Sequence, residues 1–138
     1  MEKKPEVLWR EEYSVGVEEI DNQHKKLFDL INDMILVSRS SSREEDILPV
    51  MNGLIAYKKD HFATEEKYFH AFNYPGTKEH EEAHQKFNVD LEELEKRYEN
   101  DVLGLSFALI EFLENWLIEH LMSMDQEYKA CFREHGLR

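Results

Sequence analysis

Seven side chains that could bind a metal recur along this 138-residue chain at spacings that suit helices. Because an α-helix turns by about 100° per residue, residues four apart lie on the same face. His61 therefore shares a face with Glu65, and His80 shares one with His84. Imidazole and carboxylate groups in this pattern predict a metal site. The candidate ligands are His24, His61, Glu65, His80, His84, His120 and Asp125.

Three further polar residues, Glu66, His70 and His135, are not expected to be metal ligands. Glu66 lies about 140° around the helix from His61, so Glu65 is the predicted ligand. His70 follows His61 by nine residues and should face solvent on the opposite side. His135 is close to the end of the chain, where ordered metal sites are uncommon.

Taken one at a time, a histidine on an apolar face is more often hydrogen-bonded in a core than bound to a metal. Burying five imidazoles and two carboxylates together would be costly, and coordination of cations removes that cost. A purely structural polar network is the weaker alternative. Seven donors exceed the needs of one ion, so we expect two ions that share both carboxylates.

Donor type alone does not name the metal, because imidazole suits iron, zinc, copper and nickel. Bridging carboxylates in a helical bundle are typical of di-iron proteins. The ferritin-like pattern of paired Glu-x-x-His motifs is not the one seen here.

The elements that position these residues are predicted to be helices. The chain has only five glycines and three prolines, and its apolar residues repeat with a period near 3.6. Ser42 and Glu45 have the spacing of a capping box, and Thr77 is expected to cap the third helix. After an arm at about 1–17, helices are expected at about 18–38, 43–71, 77–99 and 102–122, with a short last helix to about 134.

Short connections make consecutive helices antiparallel, so the predicted fold class is all-α. We expect an up-down-up-down antiparallel four-helix bundle with an N-terminal arm, forming a single domain over residues 1–138. In a regular helix the step from His120 to Asp125 would leave the two side chains about 140° apart. The sequence therefore predicts a wide turn of the π type, or a helix end, between them.

Composition narrows the possible partners. With 17 basic and 30 acidic residues the net charge is -13, which argues against nucleic acid and anionic membranes. The first residues do not resemble a signal peptide and no apolar run is long enough to span a membrane, so we expect a cytoplasmic protein. A monomer is expected, and the lone Cys131 is given no role.

With these residues in place, the chain resembles the bacteriohemerythrin group of the hemerythrin family, which are non-haem di-iron oxygen-binding proteins. The resemblance extends from Trp9 to about Tyr128. The segments that carry it are Val15-Gly-Val, Ile20-Asp-Asn-Gln-His24, His61-Phe-Ala-Thr-Glu65-Glu, Tyr74-Pro75, His80 with His84, Trp116-Leu-Ile-Glu-His120, and Asp125.

The resemblance implies two iron ions with unequal ligand sets. One is held by three histidines and the other by two, and the second keeps an open position. Both carboxylates and a solvent-derived oxo or hydroxo group bridge the ions. O2 would bind end-on at the open position and be carried as hydroperoxide. The implied sets are His80, His84 and His120 for one ion, His24 and His61 for the other, and Glu65 and Asp125 as bridges.

The function implied by the resemblance is reversible O2 binding for storage, transport or delivery, without turnover as an enzyme. By the same resemblance an apolar pocket around the open position is lined by Phe62, Trp116, Leu117 and Leu121. One alternative is an oxygen or redox sensor that acts through a partner. Another is a di-iron oxidase, or a scavenger of peroxide or nitric oxide. A protein that receives the oxygen or reduces the iron is a possible further partner.

Overall fold

The computed structural model describes residues 6–40 and 43–138, and within these ranges the chain is helical with no strand. The predicted all-helical class is confirmed. Short 3₁₀ turns occupy Glu11–Tyr13 and Asp125–Tyr128, and a π-helical segment occupies Leu117–Met124. The α-helices are α1 (Glu18–Ser40), α2 (Glu44–Ala71), α3 (Thr77–Arg97), α4 (Val102–Trp116) and α5 (Lys129–Glu134).

The four long helices pack as a bundle. α1 contacts α2 and α4, and α3 contacts the same two helices. Each helix contributes apolar residues three or four positions apart, such as Leu27, Ile31 and Met34 of α1, which are fully buried. None of the helices in the described ranges is both long enough and apolar enough to cross a membrane.

The apolar interior is divided into two clusters. The main core takes residues from all four long helices, including Leu27, Leu54, Phe87 and Leu113. The end cluster consists of Val15, Val17, Ile20, Phe69, Tyr128 and Phe132.

The candidate ligands lie between the two clusters along the chain. On α1, His24 separates Ile20 of the end cluster from Leu27 of the main core. On α2, Glu65 lies between Phe62 of the main core and Phe69 of the end cluster. The polar residues therefore form a layer within an otherwise apolar bundle.

The starts of the helices differ in part from the sequence-based prediction. The capping box proposed for α2 depends on Ser42, which lies outside the described residues. The prediction that Thr77 caps α3 is wrong, because Thr77 is the first residue of the helix. Its hydroxyl instead donates to the carbonyl of Tyr74 at 2.6 Å, within the turn that precedes the helix. The hydroxyl therefore stabilises the connection rather than the helix end.

Asp101 is the residue that caps α4. Its carboxylate accepts a hydrogen bond of 2.9 Å from the backbone N–H of Gly104, which would otherwise lack a partner in the first turn. Glycine at 104 allows this close approach, because a Cβ there would clash with the Asp101 carboxylate.

The regular α-helix of α4 ends at Trp116. From Leu117 to Met124 the backbone widens into a π-helix, and the Ser123 hydroxyl donates to the carbonyl of Ile118, five residues earlier, at 3.1 Å. The wide turn predicted between His120 and Asp125 is therefore confirmed. It begins before His120, so the regular helix ends earlier than the sequence suggested.

The residues before α1 lie against that helix. The Val7 N–H donates to the Asn32 side chain at 2.8 Å, and the Asn32 amide donates back to the Val7 carbonyl at 2.9 Å. The rings of Trp9 and Tyr13 contact Phe28 at centroid distances of 5.7 Å and 5.8 Å. These contacts cover the outer edge of the main core.

Candidate metal centre

All seven candidate ligands are brought together inside the bundle, and each is at most 3% exposed. Their ligating atoms form two groups, and within each group these atoms lie within 4.8 Å of one another. Glu65 belongs to both. The three-histidine group consists of Glu65, His80, His84 and His120, and the two-histidine group consists of His24, His61, Glu65 and Asp125.

Glu65 joins the two groups through a single oxygen. Its Oε1 lies 3.1 Å from Nε2 of His61, one helical turn earlier on α2. The same oxygen lies 3.1 Å from Nε2 of His84 on α3. The four-residue spacing from His61 to Glu65 and the packing of α3 against α2 together create this arrangement.

Asp125 joins the groups with both of its oxygens. Its Oδ1 lies 2.8 Å from Nε2 of His80 and 3.0 Å from Nε2 of His120, in the three-histidine group. Its Oδ2 lies 3.1 Å from Nε2 of His24, in the two-histidine group. The π-helix makes this possible, because it turns Asp125 to the same side as His120.

Several of these buried atoms make no hydrogen bond to the described part of the chain. They include both oxygens of Asp125, Oε2 of Glu65, and Nε2 of His80 and His120. The short distances around Asp125 are thus approaches without the alignment of a hydrogen bond. Leaving such groups unsatisfied costs about 1–3 kcal/mol each, whereas coordination of cations would satisfy them. The cluster therefore fits a metal site.

The electrostatics of the site favour cations. Burial opposes charge on Glu65, but His61, His80 and His84 together outweigh it and hold the Glu65 pKa well below its usual range. The pKa of Asp125 is also lowered, because His120 and His24 outweigh burial and the repulsion from Glu65. Burial lowers the pKa of His80, but the two nearby carboxylates raise it to about 9. Because both of their pKa values are lowered, the carboxylates of Glu65 and Asp125 are ionised at neutral pH.

The family model described as the hemerythrin HHE cation binding domain matches residues 15–132, a range that includes all seven clustered residues. This chain belongs to the hemerythrin family. The resemblance seen in the sequence is thereby confirmed.

Individual relatives in the hemerythrin family cover most of the chain. A hemerythrin-like protein of Naegleria gruberi is 32% identical over 125 residues, covering 88% of this chain and 90% of that protein. A bacteriohemerythrin of Clostridium acetobutylicum is 26% identical, covering 88% of this chain and 97% of its own length. A bacteriohemerythrin of Stenotrophomonas maltophilia is 26% identical, covering 94% and 83% respectively.

In this hemerythrin-family chain, two side chains outside the predicted set hydrogen-bond to histidines of the cluster. Oε1 of Gln23 accepts a hydrogen bond of 2.8 Å from Nδ1 of His61. The Gln23 amide in turn donates to the hydroxyl of Thr64 at 3.0 Å. Such a partner fixes which ring nitrogen faces the metal. The sequence offered only a weak signal, the position of Gln23 next to His24.

Glu66 is the second of these residues. It lies outside both groups, but its carboxylate accepts a hydrogen bond of 2.8 Å from Nδ1 of His84. The sequence-based expectation that Glu66 points elsewhere considered only the geometry of α2. Glu66 faces α3, and the contact depends on how α3 packs against α2, which helix periodicity does not reveal.

Two of the four predicted lining residues stack on histidines of the cluster. The Phe62 ring stacks on His84 at 3.8 Å between centroids, and the Trp116 ring stacks on His120 at the same distance. Both therefore contact the three-histidine group. Leu117 and Leu121 are buried in the main core. That these four line the position where O2 binds stays a prediction.

Tyr57 is an aromatic neighbour of the two-histidine group that the sequence reasoning missed. Its ring lies 5.3 Å from that of His61 and is tilted by only 17° from it. Burial, followed by the charges of Asp125 and Glu65, raises the pKa of Tyr57 well above its usual value. The available signal was its position four residues before His61, the spacing that also joins His61 to Glu65.

The two remaining histidines lie outside both groups. His70 is exposed and pairs with Glu81 at 3.0 Å. The His135 ring stacks on Phe72 with centroids 4.4 Å apart. Cys131 lies near His135, with its Sγ 4.0 Å from Nδ1.

Proposed function

We propose that this chain binds O2 reversibly at a pair of iron ions, for oxygen storage, transport or delivery. The observation that carries the proposal is the inequality of the two groups of ligands. Three imidazoles and both carboxylates lie around one position, whereas only two imidazoles accompany the carboxylates at the other. An ion with fewer protein ligands keeps coordination positions for an external ligand.

The residues that would hold the two ions follow from the two groups. The three-histidine group would hold one ion and the two-histidine group the other, with Glu65 and Asp125 shared between them. Imidazole and carboxylate donors suit iron, and the family of the chain favours it. When bound, two ferrous ions would supply the electrons that O2 binding requires and recover them on release.

The surroundings of the cluster favour binding over turnover. Phe62 stacks on His84, and Leu117 and Leu121, on either side of His120 in the sequence, are buried, so the side chains near the cluster include apolar groups rather than acids or bases. A dry site slows the entry of protons and water, which would otherwise convert bound O2 irreversibly. We therefore propose that the protein is not an enzyme. The antiparallel order of the helices, the N-terminal arm, the monomeric state and the cytoplasmic location stay predictions.

The test is the visible absorption spectrum of iron-loaded, reduced protein while O2 is admitted and then purged. We expect a charge-transfer band that appears and disappears over repeated cycles. His61→Ala removes a donor of the two-histidine group and should abolish the band. His70→Ala removes an exposed histidine outside both groups and should leave the band unchanged.

Two outcomes would contradict the proposal. A band that never forms would mean that the site binds another metal or carries out another chemistry. A band that decays to an oxidised state that purging does not reverse, with steady consumption of a reductant, would favour the oxidase or scavenger alternative.

A further inference from the structure

We propose that the hydroxyl of Tyr57 donates a hydrogen bond to the small ligand bound beside His61 and thereby sets the affinity of that position for anions and O2. The inference rests on the proposed function, because it requires an ion in the two-histidine group with a position left for an external ligand. It adds a polar contact to a pocket whose predicted lining is otherwise apolar.

The first observation is a buried hydroxyl that has no partner among the described residues. Tyr57 is 5% exposed, and its hydroxyl oxygen is shielded from solvent without a hydrogen bond to any described residue. Buried polar groups are almost always hydrogen-bonded, because an unsatisfied one is destabilising. A side chain that keeps its hydroxyl in such a place indicates a partner that the described part of the chain does not supply.

The second observation is where the Tyr57 ring lies. Tyr57 and His61 are four residues apart on α2, so both side chains extend from the same face of the helix. Their rings are nearly parallel, with centroids 5.3 Å apart. His61 belongs to the two-histidine group, the one with fewer protein ligands. The phenol is therefore placed next to the half of the centre that has room for an external ligand.

The third observation is the contrast with the other aromatic residues of the centre. Phe62 and Trp116 stack on His84 and His120, which both belong to the three-histidine group. Among these three stacked rings, Tyr57 alone has a hydroxyl and alone stacks on a histidine of the two-histidine group. A phenol O–H donates well to the negative charge of a bound anion.

Tyr128 provides a matched control. It is also fully buried, and its hydroxyl likewise has no hydrogen-bond partner in the described ranges. Its ring, however, lies 5.6 Å from that of His80 in the three-histidine group and stacks on Phe132 of the end cluster at 4.4 Å. Removing its hydroxyl makes the same chemical change at a comparable burial, but on the side of His80 and the shared Glu65 carboxylate rather than beside His61.

The experiment compares Tyr57→Phe with Tyr128→Phe in iron-loaded, oxidised protein titrated with azide, a small anion that binds ferric iron. Loss of one hydrogen bond should weaken azide binding about fivefold in Tyr57→Phe. The change in Tyr128→Phe should be less than twofold. Thermal melts of both variants check that each is folded as the parent protein is.

A second readout follows the phenol itself. Azide binding should shift the near-ultraviolet absorption of a tyrosine, and this difference signal should vanish in Tyr57→Phe and persist in Tyr128→Phe. A general loosening of the core would not remove one tyrosine signal selectively. Release of O2 from the reduced protein should also be about fivefold faster in Tyr57→Phe.

The proposal is overturned if azide affinity and the difference signal are unchanged in Tyr57→Phe, if both variants change alike, or if the parent protein does not bind azide. Failure of the proposed function looks different. Parent protein that binds azide but shows no reversible O2 band would refute oxygen carriage, and the azide comparison would still decide the role of Tyr57.

Discussion

The two ring nitrogens of His84 have separate partners. Nε2 lies 3.1 Å from the shared carboxylate of Glu65, and Nδ1 donates to Glu66 at 2.8 Å. The Glu66 contact holds the ring so that Nε2 faces the metal position, and a carboxylate partner also makes the imidazole a stronger ligand. His61 has the same arrangement with Gln23 as the outer partner.

From this contact we predict that Glu66→Gln weakens retention of iron about tenfold, because outer partners of metal ligands typically contribute at this scale. The measurement is competition with a chelator, followed by the loss of iron absorption. Glu81→Gln is the matched control, since Glu81 pairs with the exposed His70 at 3.0 Å. Equal loss of iron in both variants would show that Glu66 acts only through its charge.

At the scale of elements, α4 is followed directly by the π-helix that contains His120 and then by the 3₁₀ turn that begins at Asp125. The Asp101 carboxylate holds the first turn through the N–H of Gly104, and α4 continues without a break into the π-helix that contains His120. We predict that Asp101→Ala lowers the free energy of unfolding by about 1 kcal/mol, as loss of a helix cap usually does.

Chemical denaturation of the metal-free protein measures this change without a contribution from bound ions. Asp101→Asn should retain most of the stability, because the asparagine oxygen also caps helices well. If the asparagine variant were as unstable as the alanine variant, the negative charge rather than the hydrogen bond would be responsible.

The same elements show which features of the fold and the site could be predicted from the sequence. Helix periodicity located the long helices and grouped His61 with Glu65, because both features depend only on local geometry. The five-residue step from His120 to Asp125 was enough to predict either a π-type turn or a helix end between them. Glu66 was missed as a neighbour of the site because its contact with His84 depends on how α3 packs against α2. Tyr57 was missed although its four-residue spacing from His61 is a local signal, because that spacing does not reveal that its hydroxyl is buried without a partner among the described residues.

At the scale of the whole molecule, the polar layer lies between the main core and the end cluster. The seven buried polar side chains of the cluster therefore interrupt the apolar interior between these two parts. Without cations, two ionised carboxylates share this layer with imidazoles and repel each other. The stability of the bundle should consequently depend on what occupies the layer.

We predict that chelated protein melts well below the iron-loaded form, because ions that bind only the folded chain add their binding free energy to its stability. Circular dichroism at a helical wavelength follows the melt, with and without chelator. Reloading the chelated sample should restore the original transition, which separates metal loss from damage. Identical melting temperatures would mean that the core does not need its ions.

The stacking of Trp116 on His120 gives the protein a built-in optical reporter. The chain has two tryptophans, and Trp9 lies in a separate aromatic group with Tyr13 and Phe28. Trp116 lies 3.8 Å from the imidazole of a ligand, so its excited state should be quenched by energy or electron transfer once an iron ion binds there. Intrinsic fluorescence should therefore fall as the three-histidine group fills, and Trp116→Phe should leave a weaker emission that iron no longer dims to the same degree. Filling of the centre could then be timed by fluorescence, before any oxygen is present.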